Sequence, residues 1–283
     1  MIPPILLPLI AVFANAGFLT ITKKFFRQYG RLTSKEFNWL QFAGIVFVLL
    51  LVIPFFGVWP NFSQALNLWW VMLIMVALAT AGNLLYFWGI EHEKISDVEP
   101  FLLFNPLGAI LIAGVFFADE RSWSIFVAAG LASLALFWTY RKKHHFALTK
   151  GLWAIVLFIV VYGLEAVTIK YLLDVFDPVV LYFVRSILVM LALTVFATPK
   201  FSIIKSRHLA PFGIIGALAV ASVVTTYMAF NVLGLSETIF VFVLSPILIY
   251  VLSVIFLAEK WKTKNIIASV VVTLLVIWVS FMR

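Results

Sequence analysis

The chain has 283 residues, of which 64% are hydrophobic and only 11% charged, with a formal net charge of +8. A soluble domain is about half apolar and about a quarter charged, so a water-soluble fold of this size lacks the polar residues to cover its surface. The composition excludes a separate soluble domain and leaves room for about ten membrane spans of ~20 residues each.

The basic residues are scattered over short loops between apolar runs, which reads as a topology signal and not as a nucleic-acid surface. There are no cysteines, so disulfides and thiolate metal sites are excluded, and no metal site is expected. The opening stretch MIPPILLPLIAVFANAG has no basic n-region, so a cleaved signal peptide is not expected.

In chain order, the apolar runs predict spans at about 3–22, 38–57, 68–90, 97–118, 123–140, 151–173, 178–198, 209–233, 238–258 and 264–282. Backbone groups in lipid must be bonded within their own segment, so these are helices. A barrel would alternate in polarity, which GAILIAGVFF does not do. Thr33-Ser34-Lys35-Glu36 forms a capping box ahead of the second span. The expected fold class is an all-α polytopic membrane protein with ten transmembrane helices.

The fourth and ninth spans match at a constant offset of 140. Ser96 meets Ser236, Pro106 meets Pro246, Phe116 meets Phe256 and Ala118 meets Ala258, while Asp97 faces Glu237 and Asp119 faces Glu259. Lys23 and Lys170 each close an apolar helix near the start of a half, at an offset of 147. This predicts two copies of one membrane unit, residues 1–143 and 144–283.

Charge sets the sidedness. Sixteen Lys and Arg residues fall in the loops after the odd-numbered spans, and only Arg121 and Arg283 on the other side. The basic side is expected to be cytoplasmic, which puts both termini outside. Five spans per copy is an odd number, so the second copy enters the membrane inverted. Equivalent loops then carry opposite charge: the first loop of the first half holds five basic residues, whereas that of the second holds Asp174 and Asp177.

Ten spans in two inverted five-helix halves, with Pro106…Ala118-Asp119-Glu120 and Pro246…Ala258-Glu259-Lys260, resemble the EamA-type members of the drug/metabolite transporter superfamily. The resemblance covers nearly the whole chain. It implies a secondary transporter, in many members an exporter of amino acids and other small metabolites. It places the substrate cavity among helices 1, 3, 4, 6, 8 and 9. It also implies a multi-pass protein of a bacterial or archaeal inner membrane. Two features depart from the family pattern. Members are often assigned cytoplasmic termini, and the usual Gly before the acidic stop is Ala118 or Ala258 here.

Ionisable groups inside spans are the first functional candidates. Glu165 lies about nine residues from the outer loop, ~13 Å into span six. Arg185 lies about eight residues past Asp177, ~12 Å into span seven. Adjacent antiparallel helices would bring them to one height. Glu165 then either binds a substrate amine or carries a coupling proton, or forms a permanent ion pair with Arg185. Small multidrug-resistance relatives carry a buried Glu in the first helix of their repeat. Glu165 stands in that helix of the second half, with Phe18 at the aligned position of the first.

Tyr162 flanks Glu165 at helical spacing, and Tyr182 shares a face with Arg185. Asn15, Asn83 and Tyr86 are candidates on spans one and three, and Ser222 and Thr226 on span eight. Singly, a Ser or Thr more often makes a helix contact or bonds its own backbone. Pro106 and Pro246 are candidate hinges, each freeing a carbonyl one turn earlier, at Leu102 and Phe242, with Asn105 and Ser245 beside them. Glu99 and Glu237 read as acids at helix N-termini. His144 and His145 adjoin a basic loop and read as solvated, and Trp59, Trp69 and Trp70 as interface anchors.

The function expected is secondary active transport of a small metabolite, an amino acid or a related polar or amphipathic compound, in the export direction and by alternating access. A lipid or lipid-linked flippase of the same fold is the alternative. An enzyme is not expected, since HExxH, GxSxG and paired in-span acids are absent from the sequence, and Walker A is absent too. No cofactor is expected beyond coupling to H+ or another ion gradient. The expected partners are a small-molecule substrate and the lipid bilayer, with no nucleic acid, and the protein works as a monomer or homodimer.

Overall fold

A computed structural model describes residues 3–29, 33–93, 98, 101–140, 149–200, 209–257 and 263–281. Among these the secondary structure is helical, in the order α1 (Leu6–Tyr29), α2 (Ser34–Phe56), α3 (Phe62–Asn67), α4 (Trp69–His92), α5 (Asn105–Phe116), α6 (Trp123–Tyr140), α7 (Lys150–Leu172), α8 (Pro178–Phe196), α9 (Leu209–Leu233), α10 (Leu235–Val241), α11 (Ser245–Leu257) and α12 (Thr263–Phe281). Six stretches are long and apolar enough to cross a membrane: Lys35–Phe56, Trp69–His92, Lys150–Leu172, Pro178–Phe196, Leu209–Leu233 and Leu235–Phe256. Leu6–Thr22, Asn105–Phe116 and Trp123–Trp138 are shorter apolar helices. Phe55, Phe56, Phe62, Val115, Trp123 and Phe196 are each at least 67% exposed, while Glu36, Glu120, Glu165, Ser186 and Ser222 are buried. Apolar surface around a partly polar interior is the distribution a bilayer selects.

Two expected spans are broken. Around the first proline, Phe104 N–H donates to the Phe101 carbonyl at 3.0 Å in a turn, and α5 restarts at Asn105. Around the second, a 3-10 turn at Phe242–Leu244 precedes α11. Pro106 and Pro246 are thus the second residues of new helices. This corrects the expectation of prolines inside continuous helices. A first-turn proline lacks only an N–H that the helix would leave unbonded anyway. The Phe242 carbonyl is not freed either, because it accepts the Ser245 N–H. At the first break the carbonyl that gains a side-chain partner is Leu103, which accepts from the buried Ser133 hydroxyl of α6 at 3.2 Å.

The chain forms two compact units, Met1–Thr80 with Thr168–Val232, and Ala81–Val167 with Leu233–Arg283. Each draws helices from both sides of the 143/144 boundary. In the first unit, α2 packs along α8. Trp39 Nε1 donates to Thr194 Oγ1 at 2.9 Å, and Thr194 donates on to the Met190 carbonyl at 2.8 Å. The expected capping box opens α2, with Thr33 N–H donating to Glu36 at 3.1 Å. The same buried carboxylate accepts Lys200 N–H at 3.0 Å and so ties the start of α2 to the chain beyond α8.

The helix α9 approaches α2 backbone to backbone. A Cβ on Gly216 would lie 2.5 Å from the Gly44 carbonyl group, and one on Gly44 would lie 2.4 Å from the Phe212 carbonyl oxygen. Small residues let membrane helices gain close van der Waals contact where lipid supplies no hydrophobic drive. One end of this seam is filled by Phe25, Phe37 and Phe212, with Phe212 centroids 4.9 Å and 5.2 Å from the other two. Such aromatic pairs add ~0.5–1.5 kcal/mol each beyond their buried area. Ser222 Oγ crosses to α1 and donates to the Ala11 carbonyl at 2.9 Å.

In the second unit, α5 packs on α10, and α6 on α12. The connection between α9 and α10 turns at Gly234, whose φ of +84° falls where only glycine sits without strain. The loop after α5 meets it there. Glu120, 6% exposed, accepts the Leu235 and Ser236 N–H groups at 2.7 Å each, and the Ser236 hydroxyl donates to the Glu120 carbonyl at 3.2 Å. Glu120 thus caps α10, and Glu237 stands in the first turn of the same helix, the N-terminal position expected of it. Elsewhere in this unit the Thr149 hydroxyl donates to Glu93 and accepts the Leu152 N–H at 3.3 Å, which seats the first turn of α7.

Candidate functional site

The candidate residues fall into two clusters, one in each unit. In the second unit α7 is held closely by two neighbours. Gly82 of α4 faces Val161 and Phe158, and Gly89 faces Ile155. Gly108 of α5 faces Ile159, and Gly163 of α7 faces Ala109 and Ile112. These matches make α4 antiparallel and α5 parallel to α7. Along this packed helix, Phe158, Tyr162 and Glu165 follow one another at spacings of four and three.

Phe158 has its ring centroid 5.2 Å from that of Tyr86 on α4 and 6.0 Å from that of Tyr162. Tyr86 also packs edge-on against Phe87 at 5.3 Å. A row of aromatic rings therefore leads along α7 to Glu165, which is 7% exposed. Asn83 lies on α4 beside Gly82, one turn before Tyr86.

Asn105 is not at the height of Glu165. The matched pairs Gly108–Ile159 and Gly163–Ile112 put Asn105 level with about Val156, some nine residues or ~13 Å along the axis from Glu165. Its Oδ1 is buried without a hydrogen-bond partner. A buried polar atom left in that state costs ~1–3 kcal/mol unless something else supplies the bond. Ser245, the counterpart of Asn105 in the second half, is also buried and opens α11.

In the first unit, Tyr182 and Arg185 lie one turn apart on α8, with the guanidinium carbon 6.0 Å from the Tyr182 ring centroid. Tyr182 is 2% exposed and meets Tyr227 of α9 edge-on at 5.9 Å, and Tyr227 stacks on Phe230 at 6.3 Å. Ser186, next to Arg185, is fully buried with no partner for its hydroxyl. Ser222 is engaged with Ala11, and the Thr226 hydroxyl donates to the Ser222 carbonyl at 2.7 Å within its own helix. Asn15 lies on α1, the helix that Ser222 bonds. Glu165 belongs to the second unit and Arg185 to the first.

Phe158 and Glu120 were not singled out from sequence as functional residues. The spacing Phe158, Tyr162, Glu165 was visible in the sequence, but Tyr86 joins that row from another helix. The Lys23 side chain and residues Lys94, Ser96, Asp97, Glu99, Arg141, His144, His145, Lys205, Arg207, Ala258, Glu259, Lys260 and Arg283 lie outside the described residues. Among the described residues no group of three or more His, Asp or Glu side chains is arranged to hold a metal ion.

The model of the EamA-like transporter family matches residues 2–141 and again 149–281. One crystal structure of a protein aligns with 98% of this chain and 99% of its own, at a TM-score of 0.71 and 12% identity, a likeness of fold alone. Among curated proteins, none matches this sequence.

Proposed function

Since the chain belongs to the EamA-like transporter family of the drug/metabolite transporter superfamily, whose members carry small solutes and are not enzymes, we propose that it is a secondary active transporter of a small polar or amphipathic metabolite. The substrate is an amino acid or a related compound, and the net direction is export. The observation that carries this reading is a buried carboxylate, Glu165, one turn beyond Tyr162 in a row of packed aromatic rings, within a family of small-solute carriers. An acid inside a membrane helix is costly and is retained for a substrate amine or a coupling proton. Asn105 Oδ1, buried and unbonded, adds a second polar point for the substrate or for a conformational intermediate. The family favours small solutes over the lipid-flippase alternative.

The helices are arranged as ten spans in two inverted five-helix repeats, with the two broken segments playing equivalent parts. Three carboxylate contacts support the sidedness. Glu36 with Lys200, and Glu93 with Thr149, join loops that the charge count places on the basic side. Glu120 with Leu235 and Ser236 joins loops of the opposite side. Both termini accordingly face outward from a prokaryotic inner membrane. Epitope tags on either terminus are then labelled in intact cells, and labelling only after permeabilisation refutes this orientation.

The transport assignment is tested by substrate-induced current in proteoliposomes. Amino acids, organic cations, sugars and nucleosides are screened with and without a pH gradient. A current for one amine-bearing class that scales with the gradient is the expected result. Equal responses in protein-free vesicles, or tracer flux for none of the classes, would remove small-metabolite transport as the function.

A further inference from the structure

At the end of α5 farthest from Asn105, a groove of about 420 Å³ opens on the surface of the second unit, lined by Leu111, Gly114, Val115, Arg121, Trp123 and Phe126. That volume falls in the ~300–1,000 Å³ range of small-molecule sites. Leu111, Val115 and Trp123 are 50%, 71% and 83% exposed, so its walls are apolar groups that would meet acyl chains. Its depth comes from Gly114, where a Cβ would lie 2.8 Å from the Phe126 ring. Trp123 and Phe126 meet edge-on at 6.0 Å and form a stiff side wall.

One charge stands at this groove. Arg121 Nε donates to the Gly114 carbonyl at 2.6 Å and so bonds a carbonyl left open at the end of α5. That bond uses one guanidinium nitrogen. The two terminal nitrogens carry no hydrogen bond or ion pair with the described residues. The neighbouring acid does not neutralise them, because the Glu120 carboxylate is turned to the Leu235 and Ser236 amides. The remaining edge of the guanidinium matches two oxygens of a phosphate. Arg121 follows the 3-10 turn Ala118–Glu120 that ends the apolar helix α5, and Trp123, a residue type enriched at the headgroup level, opens the apolar helix α6.

We propose that this groove is a binding site for an anionic phospholipid, with the headgroup phosphate on the Arg121 guanidinium and one acyl chain along Leu111 and Val115. The lipid is a resident partner and not a transported substrate. The site needs the bilayer but no transport activity, so its test stands whatever the transport assays give.

The test is native mass spectrometry of the purified, delipidated full chain, titrated with phosphatidylglycerol or phosphatidylcholine of equal chain length. Inorganic phosphate is the third arm. Wild type is expected to bind the first phosphatidylglycerol about fivefold more tightly than phosphatidylcholine, the scale of one basic residue at an anionic surface. Arg121→Gln removes that preference. Leu111→Trp, which fills the groove from a lipid-facing position and leaves the charge, weakens binding of both lipids. Equal affinity of wild type for the two lipids overturns the proposal, as does an unchanged preference in Arg121→Gln. Displacement of the lipid by equimolar inorganic phosphate also overturns it, since the site would then be one for a free anion.

Discussion

Replacing Glu165 by Gln is expected to lower substrate-driven flux at least ~30-fold while the protein stays folded. Gln keeps the size of the side chain and its hydrogen-bonding reach, and removes only the charge. Losing one partner of a buried charged contact costs ~2 kcal/mol or more, which corresponds to that factor. The measurement is initial-rate uptake into proteoliposomes, with size-exclusion profile and thermal midpoint recorded on the same preparation. Under the coupling role, the variant also loses its response to a pH gradient. Normal flux that still follows the gradient would end the case for Glu165. A lowered thermal midpoint with flux intact would assign the carboxylate to holding helices together.

The second large effect is on stability. Glu120→Ala is expected to lower the thermal midpoint by at least ~5 °C, whereas Asp119→Ala changes it by much less. Hydrogen bonds to a charged group are worth ~1.5–3 kcal/mol each, and Glu120 accepts two at 2.7 Å from consecutive amides. Those amides belong to a seven-residue helix that follows the tight turn at Gly234 and ends in a 3-10 turn, so α10 has little hydrogen bonding of its own to hold it. Removing the acid leaves both amides facing a space that the side chain of Glu120 otherwise fills. Equal midpoints for the two variants, measured in the same detergent, would show that α10 is held by its packing on α5 alone. Glu120→Gln should fall between, because its amide oxygen can serve one N–H while its amide nitrogen opposes the other.

The sequence located the acidic stop after the fourth span but not which acid matters. The repeat pairs Asp119 with Glu259, and Asp119 is exposed, whereas Glu120 is buried. The partners of Glu120 lie 115 and 116 residues away, in the other half of the chain. No local pattern carries information over that distance. The capping box of α2 was readable for the opposite reason, since its donors and acceptors lie within four consecutive residues. Even there, the contact from Glu36 to Lys200 was not.

The prolines show a similar division. Their symmetric positions were evident from the sequence, and they do mark a disturbance in each half. An interior proline and a first-turn proline look alike in a continuous apolar run. Only the turn at Phe101–Phe104 and the 3-10 turn at Phe242–Leu244 distinguish a restarted helix from a kinked one.

By itself the sequence determined the class of the protein: apolar helices, too little charge for a soluble surface, a duplicated unit and the family. The helices and the lack of a soluble surface follow from composition and from spacing along one helix, where the solvent requirement of each residue and the 3.6-residue period suffice, whereas the duplication and the family resemblance rest on the motifs that the two halves share. The tertiary structure decided which helices pack into each compact unit, that Tyr86 completes the row leading to Glu165, that Asn105 lies at a different height, and that Glu120 serves α10. Each of these depends on contacts between helices distant in the chain. Lipid makes nearly every apolar face acceptable, so hydrophobic pattern alone does not choose a helix's neighbour; small residues such as Gly44, Gly163 and Gly216, and the few buried polar bonds, do.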